Sequence, residues 1–312
     1  MMIFSTQALM DEQRCYEFLV NILHPQGLHC PHCQCPVEQA KVHRRDRAPL
    51  LYFRCPCGRI YNALTRTCWQ GTHHRCSVIV RLLQGFAQGI PTRHLAQELG
   101  IDRKHLLERR HLHQAFVAQA SEQQDPLPDA VTEVDEMYQN SGEKGVLHDD
   151  PEDPPRCRAN KVRGHGTWDK DRPPIAGLVG RESGQVRLEV KKNSTQAELE
   201  PFVLEGTQPN ATVNTDEWSG YHRLSKKQRT HSTVCHAQRV WARDDDGDGI
   251  REVHNNTIEG LWTGLRNFLR PFRGVNKAYL QQYIAMHEWA YNLKEVTVSF
   301  LRLLCGVTQF AP

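Results

Sequence analysis

No stretch of this 312-residue sequence approaches the roughly 18 consecutive apolar residues of a membrane-spanning helix, and no basic-then-apolar leader opens it. No membrane partner is therefore expected, and the expected location is the cytoplasm. Nor does the chain lack core-forming material: hydrophobic residues make up 39% and charged residues 24%, which excludes a disordered chain. Eleven cysteines are an odd number, and without a leader they argue against a disulfide scaffold and for metal binding or free thiols. A large charge of one sign is also missing, since the net is only +3. That balance is uneven along the chain. Residues 1–124 carry 15 Lys+Arg against 9 Asp+Glu (+6), and the rest carries 24 against 27 (−3). A basic N-terminal part beside a slightly acidic remainder points to a nucleic-acid-binding module joined to something else, although a merely solvated basic face would look the same.

The metal ligands have a natural place. After a short helix over "CYEFLVNILHPQG", two cysteine clusters flank the strand-like "LLYFRC". Close cysteine pairs on tight turns present four thiolates to one tetrahedral zinc, and too few apolar residues lie here to form a core without such a staple. Cys30, Cys33, Cys55 and Cys57 are the expected ligands. The first pair has C-x-x-C spacing and the second is a tighter C-x-C, so Cys35 is kept as an alternative member. From Cys76 the period becomes helical. A short helix ends at Gly100, and Asp102 can cap a second, basic helix. This pattern reads as a helix-turn-helix with Arg103, Lys104, His105 and Arg109 toward a groove or phosphates, or else as a helical hairpin with a basic surface.

Beyond the polar, proline-containing "SEQQDPLPDA" the period changes to two. "VTEVDEMYQ", "PIAGLVGRES", "QVRLEVKKN" and "ATVNTDEWSGY" read as strands. A helix opens at Ser194 or Thr195, with Glu198 completing a capping box. Three strands, a helix, a strand and then helices is the order of an RNase H-like α/β domain. The expected layout is thus a helix and zinc ribbon over 1–70, a helix-turn-helix region over 71–124, and over 125–312 a mixed sheet with flanking helices.

Two of those strands end alike, "TEVDE" at Asp135 and "VNTDE" at Asp216, and a lone carboxylate, Glu259, sits in the first turn of the amphipathic helix opened by "HNNTIEGLW". Singly, each is an ordinary turn or cap residue. Together, three converging carboxylates repel one another and make sense around a cation, and an all-oxygen set of this kind suits Mg²⁺. Two such ions could activate a nucleophile on one side of a phosphorus and stabilise the leaving oxygen on the other.

The residues "EVDE", "TDEWSGY", "HNNTIEGLW" and "FRGVNKAYLQQY", with the "CPHC" ribbon and "GIPTRHLAQELGI", resemble the zinc-ribbon DDE transposases of bacterial insertion sequences with an ISXO-like catalytic domain. The resemblance implies that Asp135, Asp216 and Glu259 form a catalytic triad on two Mg²⁺ ions (Mn²⁺ as a substitute), with Zn²⁺ structural in the ribbon. It implies double-stranded DNA as partner, both element ends and target, and a homo-oligomer on that DNA in the nucleoid-bearing cytoplasm. Family members often carry lysine seven residues after the glutamate; here Arg266 stands there, a fork and not a point charge for a phosphate.

Other features remain. The loop "RCRANKVRGHGTWDKDRPP" carries Arg156, Arg158, Lys161, Arg163, Lys170 and Arg172, of which Lys161 and Arg163 are the candidate DNA-backbone contacts. "DDDGDGIRE" resembles the start of a calcium loop, but its twelfth position is Asn255, so an acidic surface turn is expected. Trp218, Trp262 and Trp289 read as packing residues. The rival functions are a non-catalytic DNA-binding regulator derived from a transposase, and a nuclease without strand transfer.

Overall fold

The computed structural model describes residues 4–5, 7–143, 152, 164–235, 238–245 and 247–307, arranged in two compact units. The first unit comprises Met1–Ala120 together with the stretch from Leu293 onward, and the second is Ser121–Asn292. Among the described residues no helix is long and apolar enough to cross a membrane.

In the first unit, α1 (Glu12–Leu23) begins at Asp11, whose carboxylate accepts the backbone N–H groups of Gln13 and Arg14. A small antiparallel sheet follows, in the order β1 (Lys41–Arg44), β2 (Tyr52–Arg54), β3 (Ile60–Tyr61). Then come α2 (Cys76–Ala87), α3 (Thr92–Leu99) and α4 (Arg103–Ser121). Gly85 of α2 has no side chain because α3 needs the space: a Cβ there would lie 2.6 Å from Leu95 Cδ2. Gly100 adopts a left-handed conformation (φ 64°), so that the N–H groups of Gly100 and Ile101 both reach the Ala96 carbonyl and end α3. Asp102 then accepts the His105 N–H at 2.8 Å, as the expected cap of α4.

The second unit is built on a five-stranded sheet in the order β6-β5-β4-β7-β8, comprising β4 (Val131–Tyr138), β5 (Pro174–Gly180), β6 (Val186–Val190), β7 (Thr212–Thr215) and β8 (Thr230–Thr233). β5 is antiparallel to both neighbours, and β4, β7 and β8 run parallel. This is the RNase H-like order. Between β6 and β7 lies α5 (Gln196–Gly206), and a two-stranded hairpin, β9 (Ala242–Arg243) with β10 (Val253–His254), precedes α6 (Asn256–Leu269) and α7 (Lys277–Leu293). The last helix, α8 (Val298–Leu304), belongs to the first unit, where it buries Phe300, Leu301, Leu303 and Leu304.

The sheet buries both faces. Val134, Leu178 and Val213 pack with Leu199, Phe202 and Val203 of α5 on one side; Met137, Ile175 and Leu188 pack with Ile258, Leu261, Trp262 and Ile284 of α6 and α7 on the other. The fifth strand, β8, falls in a stretch with no alternating pattern, "THST"; it pairs with β7 through its backbone ladder and a contact of 2.9 Å between His231 Nε2 and the Thr215 hydroxyl. The expected capping box at α5 does not form: the Thr195 hydroxyl donates to Asn193 Oδ1 at 2.6 Å instead, a local turn that competes with the helix cap.

The outer edge of β6 would leave a row of unpaired N–H groups. Side chains of α7 cover it. Gln281 Oε1 accepts from Val190 N at 2.7 Å, Glu288 Oε2 from Leu188 N at 2.7 Å, and Asn292 Oδ1 from Val186 N at 2.8 Å. Alternate strand residues meet polar residues on one helical face. Glu288 is 1% exposed, and burial pushes its carboxyl up to about 7 despite the Leu188 N–H, Arg187 and Gln124 pulling it down. A raised carboxyl contributes stability that is complete below the ordinary value near 4.5 and lost as pH rises through about 7. Glu288→Gln should therefore gain on wild type by up to about 3 kcal/mol between pH 5 and pH 8. Denaturant unfolding at the two pH values measures this, and parallel curves would remove the buried-proton explanation.

Candidate active site

β4 sets the site because its alternation splits its carboxylates between two faces. Glu133, Asp135 and Met137 point one way, and Val134 and Glu136 the other. Glu133 is fully buried, where an unpaired charge would be prohibitive. It is paired many times over. Its oxygens accept the backbone N–H groups of Thr257 (2.9 Å) and Ile258 (3.1 Å), the Thr257 hydroxyl (2.9 Å) and Arg181 Nε (3.0 Å), with His254 Nδ1 at 3.2 Å. Arg181 in turn donates to the carbonyl of Glu252, just before β10, and to that of His254 at its end. The start of α6 is thus capped by a carboxylate from a neighbouring strand, which satisfies orphan N–H groups and sits at the positive end of the helix dipole. Asn255, at the N-cap position, makes no side-chain cap bond; its Nδ2 donates to the Val134 carbonyl at 3.1 Å. The sequence offered no sign that Glu133 had this role.

With α6 so anchored, its first turns face Asp135. Trp262 Nε1 donates to Asp135 Oδ2 at 2.8 Å, and Glu259 stands one turn before it on the same helical face. The indole reaches the carboxylate across Gly177, the residue that β5 pairs with Asp135; a Cβ at 177 would lie 2.5 Å from Trp262 Cη2. On the other side, β7 pairs with β4 in the register Val131↔Thr212, Thr132↔Val213, Glu133↔Asn214. Two residues further along both strands, this register sets Asp216 beside Asp135. The electrostatics agree. Burial raises the Asp135 carboxyl to about 6, the Trp262 N–H pulls it down, and the charges of Asp216 and Glu259 push it up. Glu259 itself is exposed. The three sequence-predicted carboxylates are therefore brought together, though their oxygens do not form a set as tight as the 4.8 Å clusters elsewhere in the described chain.

A fourth carboxylate, Glu136, stands behind them on the other face of β4, within reach of their charges. Burial pushes Glu136 up to about 7, against a hydrogen bond from the Tyr221 hydroxyl at 2.6 Å, and the charges of Asp135 and Asp216 raise it further. Beside it, Tyr138 Oη lies 2.7 Å from His165 Nδ1, and the His165 ring stacks on Trp218 with centroids 4.5 Å apart. Asp216 Oδ1 accepts the Trp218 backbone N–H at 2.9 Å, which fixes the turn after β7. On the rim, Arg172 donates to Asn140 Oδ1 and lies near enough to Arg266 for the two charges to disfavour each other. Arg266 is exposed on α6. Lys161 and Arg163, the other expected backbone contacts, lie outside the described residues.

Residues 130–292, more than half of the chain, match the model of the ISXO2-like transposase domain. The chain belongs to this family. A relative from Halobacterium salinarum, an uncharacterized protein in transposable element ISH50, is 26% identical over 283 residues, 89% of this chain and 90% of the relative. Among solved structures, the HTLV-2 integrase catalytic core domain in complex with magnesium is 16% identical with a TM-score of 0.31, covering 56% of this chain and 92% of that one. The intasome of simian T-cell lymphotropic virus in complex with the PP2A regulatory subunit B56 gamma is 15% identical with a TM-score of 0.30, covering 69% of each chain. These structural likenesses are too low to bear on the chemistry.

The first unit of this transposase-family chain carries the expected thiols in place. Sulfurs of Cys30, Cys33, Cys55 and Cys57 all lie within 4.8 Å of one another, with Cys30–Cys57 at 3.7 Å and Cys33–Cys55 at 3.4 Å. A tetrahedral zinc with Zn–S bonds of about 2.3 Å sets its sulfurs about 3.8 Å apart, so the residues fit that ion. Backbone N–H groups of His32 and Cys33 point at Cys30, and that of Arg59 at Cys57, as thiolates require. The tight C-x-C pair reaches because Gly58 takes a left-handed turn (φ 88°) that lets Cys55 N bond the Arg59 carbonyl. Cys35 is not a member; its thiol donates to Gln39 Oε1 at 3.0 Å.

Arg103, Lys104 and His105 are exposed on the first turn of α4. Arg109 turns inward, donating to the Cys68 carbonyl at 2.7 Å and lying 5.7 Å from the Trp69 ring centre. The Asp244 turn consumes its own carboxylate, which accepts the N–H groups of Gly247 and Gly249, while Asp246 lies outside the described residues.

Two outcomes follow for the site. Glu133→Ala leaves the Arg181 charge without its counter-ion and the first N–H groups of α6 without their acceptor, and should cost about 3–5 kcal/mol in denaturant unfolding; a cost under 1 kcal/mol would show that α6 holds its place without this cap. Gly177→Ala should cost about 1–3 kcal/mol by pushing the indole off Asp135, whereas an unchanged midpoint would mean that Trp262 has room to retreat.

Proposed function

We propose that the chain cuts and joins DNA at the ends of its own element, with Asp135, Asp216 and Glu259 as the catalytic carboxylates. The observation that carries this reading is the convergence of Asp135 and Asp216 on adjacent parallel strands with the helix bearing Glu259, tied to Asp135 by the Trp262 indole. The donor set fits Mg²⁺. It is all oxygen, and a carboxyl held up near 6 by burial and like charge belongs to a site that gains from a cation. When bound by these three residues, Mg²⁺ would supply charge stabilisation and a lowered pKa for an attacking oxygen.

The chain's own residues do the rest. Trp262 orients Asp135 and frees its second oxygen for the ligand. Arg266 and Arg172 stand at the rim, where each can hold a backbone phosphate. Water attacks the phosphorus at the element's end, the P–O3′ bond breaks, and the freed 3′-hydroxyl then attacks a phosphodiester of target DNA, displacing a second 3′-oxygen. In the first unit, the thiolates of Cys30, Cys33, Cys55 and Cys57 hold the ribbon's fold on Zn²⁺. Arg103, Lys104 and His105 at the start of α4 face the element's terminal repeats, in the manner of a helix-turn-helix. Joining two ends requires two active sites, so a homo-oligomer on DNA is the working form.

A Mg²⁺-dependent cleavage and joining assay on element-end DNA tests this. Glu259→Gln should abolish both products while leaving DNA binding intact, and Trp262→Phe should slow cleavage about 10- to 100-fold by releasing Asp135. If wild type binds the DNA tightly but never cuts it, the chain is a binding protein and the carboxylates are structural. Cleavage without any joined product would reduce the function to that of a nuclease.

A further inference from the structure

The first unit holds a second cluster that the transposase reading leaves unused. The sulfurs of Cys68 and Cys305 and a ring nitrogen of His113 all lie within 4.8 Å of one another. They come from three distant stretches: the segment after β3, the middle of α4, and the residue that ends α8. His113 is fully buried and Cys305 is 5% exposed. His113 Nδ1 lies 2.6 Å from the Leu304 carbonyl, which can only accept, so the proton is on Nδ1 and Nε2 carries the lone pair. Nε2 is buried and meets no hydrogen-bond partner among the described residues. A buried acceptor left unpartnered is costly, and natural interiors rarely keep one without a purpose.

We propose that Cys68, His113 and Cys305 bind a second zinc ion, distinct from that of the ribbon. The donor chemistry selects it: two thiolates and one neutral imidazole are a borderline-soft set that suits Zn²⁺ and suits Mg²⁺ poorly. The histidine is oriented as metal-bound histidines are, its other ring N–H given to a backbone carbonyl that fixes the tautomer and strengthens the donor. Its ring is walled by Trp69 (centroids 4.7 Å apart) and Phe86 (5.6 Å), which keeps the imidazole side dry. Three protein ligands leave a fourth position, and Cys68 and Cys305 line a cleft of about 660 Å³ through which a water can reach it. Bound there, the ion ties α8 to α4 within the first unit, joining residues that the sequence separates by almost two hundred positions.

Zinc content of the full-length chain, purified from zinc-supplemented cells, decides it. Wild type should carry two zinc ions per chain, and Cys305→Ser and His113→Gln should each carry one while keeping the circular dichroism of wild type. Should those variants fail to fold, X-ray absorption at the zinc edge of wild type reads the same question: about three sulfurs per zinc, averaged over a four-sulfur and a two-sulfur site. One zinc per wild-type chain, surrounded by about four sulfurs, overturns the proposal. So does a Cys68–Cys305 disulfide in the purified protein, since it consumes both thiolates.

Discussion

A carboxylate with no access to water holds the second unit's working parts in register. Glu133 accepts the first N–H groups of α6 and the Arg181 guanidinium at once, and with the Asn255 amide on the Val134 carbonyl it fixes where α6 begins relative to β4. Because the charge is buried, the structure cannot let those partners go. The helix start, the end of β10 and the β5–β6 turn that carries Arg181 are coupled through one side chain. Everything α6 presents depends on that origin: Glu259 one turn in, Trp262 on the next, Arg266 beyond.

The same economy recurs across the unit, with polar side chains of one element completing the backbone of another. Gln281, Glu288 and Asn292 close the open edge of β6, and Asp129 accepts the N–H groups of Glu182 and Ser183 in the turn between β5 and β6. These bonds are long-range in sequence and buried or partly buried in space, so each is worth more than a surface contact and costs more to break. The carboxylate cluster exploits this rigidity. Like charges are held close by a sheet register and an anchored helix; burial first, and then their repulsion, raises the carboxyls of Asp135 and Glu136. A frame that tolerates such repulsion is one that a cation would relieve.

Much of this was legible beforehand. Short apolar runs bounded by turn residues mark four of the five strands of the sheet; β5 is buried along its whole length, so there the flanking turns and not alternation mark the strand. "THST" of β8 was not legible, since an edge strand with a mostly polar face has no such signature. The two strand-terminal aspartates and Glu259 stood out because lone carboxylates in apolar surroundings need an explanation. Glu133 and Glu136 sit among the same letters with nothing local to single them out. One is a cap for a helix more than a hundred residues away, and the other faces the opposite side of the sheet, toward Tyr221. Trp262 read as packing, which it is, but its indole N–H also orients Asp135.

By itself, then, the sequence determined four strands of the sheet, the main helices, the two cysteine pairs and the three outlying carboxylates, because spacing, periodicity and local charge are properties of neighbouring residues. The tertiary structure decided which of those residues meet. It chose Cys57 over Cys35, turned Arg109 inward while leaving Arg103 and Lys104 in solvent, gave α6 a cap from another strand, and returned α8 to the N-terminal unit beside Cys68 and His113. The α6 cap and the inward turn of Arg109 follow from the need to satisfy polar groups taken out of water, and the return of α8 from the burial of its apolar face; both needs are met wherever the fold brings a partner near, at no fixed distance along the chain.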